Sequence, residues 1–255
     1  MTEAPLRVWT ERDGAVLRLR LARPKANILD AAMLAAIDRA LGQDHPPALR
    51  AILIDAEGPH FSFGASVEEH LPDACAAMLR GFHAVLVRLV EAPAPVLFAV
   101  RGQCLGGGLE LALTGTRIFA APEAMFGQPE IRLGVFAPAA SALLPERIGR
   151  PAAEAMLLSG TPLTAEAARA CGLIQSVAAD PEEAAFGWID ANLMDKSAAA
   201  LRHAMRAARD GFAHALRARL AELETLYLDE LMRTHDANAG LRAFLDHNPP
   251  RWEHR

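Results

Sequence analysis

An α/β fold with a helical C-terminal third follows from three features of this chain. Short apolar runs that read as buried strands alternate with amphipathic helical segments, at a spacing of roughly 45 residues. Glycine-containing loops follow two of these strands. From Pro138 onward the pattern changes to helices punctuated by glycine, with one short strand among them.

Residues 6–21 read as a hairpin. Leu17, Leu19 and Leu21 alternate with Arg18 and Arg20, the period of a half-buried strand, and Asp13-Gly14 supplies the turn. Pro24 breaks the strand, and Asp30 caps a helix that carries Met33, Leu34, Ile37 and Leu41 on one face. LRAILIDA (49–56) is a buried strand followed by the loop GPHFSFGAS. Helix 74–91 repeats Leu79, Phe82, Leu86 and Leu89, and PVLFAV (95–100) is the next buried strand. It leads into three glycines, 106–108, ahead of an apolar helix, LELAL. RIFAA (117–121) is a further strand. After Pro138 come three short helices, a strand over 172–178, and only helices beyond Pro181, the longest near 213–234.

The chain has 255 residues, enough for one large domain or a domain with an appendage. An apolar fraction of 52% supports a large core, and a charged fraction of 22% argues against disorder. The net charge of −5 gives no general attraction to nucleic acid or anionic lipid. Cys75, Cys104 and Cys171 are far apart and odd in number, so no disulfide framework or zinc site is expected. Free thiols, an acidic N-terminus without an apolar h-region, and no long uncharged apolar run lead us to expect a cytoplasmic protein without a membrane span.

The chemistry concentrates between Gly102 and Glu130. Glycines at a helix start leave backbone N–H groups uncovered, and the helix dipole adds positive charge there. An oxygen that gains negative charge during reaction is held well by such groups. Glu110 lies about one turn beyond Gly107. Glu110 and Glu130 flank a strand, so the fold could bring them together, and two carboxyls around one water can take one proton and supply another. Ala65, in the loop after a buried strand, can offer a second N–H. By pattern alone the alternative stands that the glycines are packing devices and the acids structural. Glu68 and Glu69 line a pocket or face water. His60, His70 and His83 read as surface or capping residues, with no nucleophile setting nearby. GxGxxG and the P-loop pattern are absent, which argues against dinucleotide and P-loop sites.

GQCLGGGLELA, FGQPEIRLG and HFSFGAS resemble the three signature segments of the crotonase (enoyl-CoA hydratase/isomerase) superfamily, and the similarity spans essentially the whole chain. The resemblance implies a crotonase-like core of repeated ββα units over residues 1–195, bearing an acyl-CoA site. It implies a helical oligomerisation region over 196–255, forming a homo-oligomer, a trimer or a dimer of trimers. It further implies Ala65 and Gly107 as oxyanion-hole donors, Glu110 and Glu130 as the catalytic pair, and Lys25, Ala26 and Gly64 as contacts to coenzyme A. No metal or separate cofactor is implied, because coenzyme A arrives with the substrate. Ser66 stands where ordinary hydratases have an acid, and GVFAPAASALLP replaces their glycine-rich turn. Ser66, Glu69, Phe136 and Pro138 are thus expected around the acyl group. RPKANILDAAM, AEGPHFSFGASVEEHLPD, FGQPEIRLGVFAPAAS and LYLDELMRTHDANAGLRAFL resemble the members acting in anaerobic benzoyl-CoA degradation. That similarity implies 1,4-addition of water to a cyclic dienoyl thioester.

Overall fold

Six strands make the larger of two sheets in the computed structural model, which describes residues 4–255. In chain order the strands are β1 (Leu6–Glu11), β2 (Val16–Leu21), β3 (Ala51–Ala56), β4 (Val96–Val100), β5 (Gln103–Leu105), β6 (Arg117–Ala120), β7 (Met125–Gly127), β8 (Leu163–Thr164) and β9 (Ser176–Val177). The large sheet runs β1-β2-β3-β4-β6-β9, and β5-β7-β8 form the small one. Only the β1–β2 hairpin is antiparallel in the large sheet. The helices are α1 (Ala31–Leu41), α2 (Pro72–Val90), α3 (Gly107–Leu113), α4 (Pro138–Ile148), α5 (Arg150–Ser159), α6 (Ala165–Ala170), α7 (Pro181–Asn192), α8 (Ala198–Thr225) and α9 (His235–Leu245). Among the described residues no helix is long and apolar enough to cross a membrane.

Side-chain alternation sorts the sheet into two cores. Leu17, Leu19, Ile52, Ile54, Val96, Phe98 and Ile118 join the main core, which also holds the buried faces of α1, α2 and the later helices. Val16, Leu53, Leu97 and Phe119 point the other way, against Ile189 of α7. Strands covered on both faces read as continuous apolar runs, which is why β3 and β4 are legible in sequence. The polar face expected for β2 is not open to water. Arg18 and Arg20 both bind the fully buried Asp55 of β3, and Arg18 stacks over Trp9 and Phe186. Asp30 caps α1 by accepting from the Met33 N–H at 2.8 Å, a contact worth about 1 kcal/mol.

Several elements differ from the sequence reading. α3 starts at Gly107, inside the glycine run and not after it. Strands β5, β7 and β8 have two or three residues each, too few to show a period. The strand expected over 172–178 is paired only at Ser176–Val177, because Gly172 adopts φ +85° in the turn that closes α6. The long helix α8 begins at Ala198, where good helix formers lie without an apolar stripe, and its α-helical part ends at Thr225. One π-helical turn (Leu226–Glu230) and a 3₁₀ turn (Leu231–Arg233) carry the chain to α9.

α9 packs on the 3₁₀ turn Pro129–Leu133, which carries Glu130. The approach is close: a Cβ added at Gly240 would lie 2.1 Å from the Leu133 carbonyl oxygen. Gly240→Ala is therefore expected to push α9 off this turn at a cost of about 1–3 kcal/mol. Thermal denaturation should show a clearly lower midpoint, and an unchanged midpoint would refute the contact.

Candidate active site

Parallel pairing of β5 with β7 sets up the site. Leu105 lies opposite Gly127, and the Gly106 N–H donates to the Gly127 carbonyl at 2.9 Å. One helical turn past Gly106 comes Glu110, whose N–H donates back to the Gly106 carbonyl at 3.0 Å. Three residues past Gly127 comes Glu130. The two acids are thereby delivered to one cavity of about 570 Å³. Gly106 has φ +51°, and an added Cβ would lie 2.6 Å from Glu130 Oε1. Glycine is needed there for both reasons.

Gly107 opens α3, so its N–H has no acceptor within the helix. A Cβ added to Gly107 would lie 3.0 Å from the Ala65 nitrogen, and one added to Gly64 would lie 3.1 Å from the Gly107 nitrogen. The amides of Ala65 and Gly107 are therefore neighbours, and neither has a backbone acceptor among the described residues. The Ser62 N–H donates to Gln103 and the Leu105 N–H donates to Ser62, which ties the loop of Ala65 to β5. All three of Gly64, Ala65 and Gly107 line the cavity.

Glu110 is nearly fully buried, and its Oε1 accepts from the Ala140 N–H at 2.7 Å. Ala140 belongs to the first turn of α4, so this carboxylate also caps that helix. Burial pushes the Glu110 pKa up to about 7, opposed by the N–H groups of Ala140 and Ala139. Glu130 is raised well above its ordinary value, first by burial and then by the charge on Glu110. Gln128, buried beside it, can turn its amide NH₂ to donate to both Glu130 oxygens at 3.1 and 2.9 Å. Two acids so coupled share a proton: ionising one keeps the other protonated. The remaining wall is largely apolar, with Met78, Leu79, Phe82 and Phe136 prominent. Such a cavity can accept a carbonyl at the two amides and hold a water at the two acids.

A sequence model of the enoyl-CoA hydratase/isomerase family matches residues 11–255. The chain belongs to the enoyl-CoA hydratase/isomerase family. It is 57% identical to the cyclohexa-1,5-dienecarbonyl-CoA hydratase of Thauera aromatica, with all of both chains covered. It is 32% identical to a protein of Mycobacterium bovis named a probable enoyl-CoA hydratase, covering 97% of this chain and 98% of the other. The crystal structure of an enoyl-CoA hydratase from Mycobacterium avium subsp. paratuberculosis superposes with a TM-score of 0.83 at 26% identity, covering 98% of each chain.

The other residues expected at this hydratase-family site divide clearly. Ser66, Phe136 and Pro138 line the cavity. Glu69 does not. The short 3₁₀ turn Glu68–His70 sends it to the start of α1, where the Ala31 N–H donates to its carboxylate at 3.2 Å. The positive end of a helix dipole is the better home for that charge, while exposed Glu68 and half-buried His70 face the cavity. Lys25 is exposed and Ala26 half-buried, and neither lines the cavity. Ala26 is nonetheless adjacent, since its carbonyl accepts from the Phe63 N–H at 2.9 Å and Phe63 lines the wall. His83 is no surface residue: it is buried on α2 at the cavity wall, with Nδ1 2.6 Å from Glu224. Sequence reasoning missed Gln128 and His83, although Gln128 lies inside the signature FGQPE.

A carboxyl whose folded pKa lies above its ordinary 4.5 stabilises the fold at low pH. That contribution is complete below about pH 4.5 and is lost as pH rises through about 7. Glu110→Gln removes the titration and can keep the bond to Ala140. Compared at pH 8, the variant is expected to be more stable than the native protein by on the order of 2–3 kcal/mol, the difference vanishing near pH 4. Urea denaturation at both pH values checks this. An equal or lower stability of the variant at pH 8 refutes the buried charge.

Proposed function

We propose that this chain adds water 1,4 to cyclohexa-1,5-diene-1-carbonyl-CoA, giving 6-hydroxycyclohex-1-ene-1-carbonyl-CoA. The observation that carries the reading is the convergence of two acids, Glu110 buried and Glu130 half-buried, with two free, adjacent N–H groups in one largely apolar cavity. The ring substrate is favoured by the full-length similarity to the Thauera hydratase.

In this reading the Ala65 and Gly107 N–H groups donate to the thioester oxygen. Glu110, held towards its ionised form by the first turn of α4, takes a proton from water. The water oxygen bonds to the ring carbon β to the carbonyl, and an electron pair moves onto the thioester oxygen to form a dienolate. Glu130, kept protonated by the charge on Glu110, supplies a proton at the far end of the second double bond. The pair returns to form the new ring double bond, and one water has been added. The electron sink belongs to the substrate, so the route calls for no metal or separate cofactor. Lys25, Ala26 and Gly64 are assigned to the coenzyme A moiety, and Ser66, Phe136 and Pro138 to the ring, with residues 1–195 as the site-bearing core. The residues beyond 195 are assigned to assembly, although Leu241, Phe244 and Leu245 of α9 also line the cavity: Leu226 and Trp252, with Leu158 of α5, leave apolar surface exposed, which supports a homo-oligomer.

Purified protein is expected to convert the cyclic dienoyl-CoA to a product one water heavier, far faster than it hydrates crotonyl-CoA, as read by mass and absorbance. The reverse preference identifies a general 2-enoyl-CoA hydratase instead. Glu110→Gln and Glu130→Gln are each expected to lower kcat by about 10²–10⁴-fold, and full activity in either variant refutes the paired mechanism. Light scattering should give a trimer or hexamer mass, and a monomer at micromolar concentration contradicts the assembly.

A further inference from the structure

His70 closes the 3₁₀ turn that follows the loop of Ala65, and its half-buried ring lines the cavity. Its Nδ1 lies 2.7 Å from the Ser66 carbonyl oxygen. A carbonyl oxygen only accepts, so Nδ1 carries the proton and donates it. Burial holds the pKa of His70 below its ordinary value, so the ring is neutral at pH 7. Nε2 is then a bare acceptor. It has no partner among the described residues and, unlike the Nε2 of His83, it is not sealed inside the protein. The neighbouring groups do not serve it. The Ser66 hydroxyl already donates to Glu68 at 2.8 Å. The nearby wall of α2 presents Met78, Leu79 and Phe82, which have no donor to offer.

We infer that His70 selects for ring thioesters that carry a hydroxyl, with Nε2 accepting from a hydroxyl on one of the two ring carbons outside the diene. The inference rests on the hydratase reading given above and deepens it by naming a substrate class. A hydrocarbon ring that covers Nε2 strips it of water and gives nothing back, whereas a ring hydroxyl satisfies it. An all-apolar wall would suit a plain ring better. A placed acceptor separates ligands with and without the matching donor more sharply than an apolar pocket does. The plain dienoyl-CoA remains a substrate, with water on Nε2, and the hydroxylated ring is held more tightly.

Benzoyl-CoA, 3-hydroxybenzoyl-CoA and 4-hydroxybenzoyl-CoA are suitable probes, since their aromatic rings do not add water and they differ only in the donor. Calorimetric titration of the full chain should show at least one hydroxylated ligand binding about 3–10-fold more tightly than benzoyl-CoA. His70→Asn keeps an amide donor for the Ser66 carbonyl but lacks Nε2. It should bind benzoyl-CoA within about twofold of the native protein and lose the preference. His70→Gln, whose Oε1 can reach the position of Nε2, should recover part of it. Nitrogen NMR of histidine-labelled native protein gives a second readout: the Nε2 signal absent from His70→Gln should move further with the hydroxylated ligand than with benzoyl-CoA. Equal binding of all three ligands by the native protein, a preference that survives in His70→Asn, or equal shifts of that signal each overturns the inference. Binding is read without turnover, so the two readings fail separately. A protein that prefers hydroxylated rings but adds no water to the dienoyl-CoA refutes the hydratase reading alone.

Discussion

The Glu130 carboxylate lies against the bare Cα of Gly106, close enough that any side chain there would expel it. That contact exists because β5 and β7 run parallel with Leu105 opposite Gly127, so the chain leaves both strands side by side. One exit turns immediately into α3, which leaves the Gly107 N–H free and raises Glu110 one turn above it. The other turns into a 3₁₀ segment, which brings Glu130 round to face the same space. Two strands of three residues, contributing little stability of their own, thus decide where the acids and one amide stand.

A second dependence runs through α4. Its first turn supplies the N–H groups that hold Glu110, and Pro138 at the helix start lines the cavity. One helix terminus therefore shapes the wall and biases the charge. Two chemically identical side chains come to differ in protonation because one accepts hydrogen bonds from that terminus while the other faces the resulting charge. The fold carries a cost at neutral pH for holding a buried carboxylate, as sites built for chemistry commonly do.

The large sheet was legible from residue order because its strands are buried on both faces and the helices between them carry a clear apolar stripe. Asp30 announced α1, and Asp13-Gly14 the hairpin. The small sheet was not legible, since two or three residues show no period. Of the site, the glycine run, Glu110, Glu130 and Ala65 stood out as candidates from pattern, and the family resemblance gave them their roles. Glu69 misled because neighbouring residues of a 3₁₀ turn point about 120° apart, so being adjacent in sequence to Ser66 and Glu68 said nothing about direction. His83 was hidden for another reason: its partner Glu224 lies 141 residues away, on α8.

Residue order by itself determined the alternation of buried strands and amphipathic helices, the exposed backbone at the glycines and the kind of chemistry these residue types allow. Those are local properties, set by side-chain period, by missing Cβ atoms and by the number of ionisable groups. Tertiary structure alone decided that Glu110 and Glu130 share a cavity, that Glu69 caps α1, and that His83 meets Glu224. Each of these depends on strand register or helix packing between segments distant in the chain, and the resulting burial, which no local pattern contains, is what moves the pKa values of the acids.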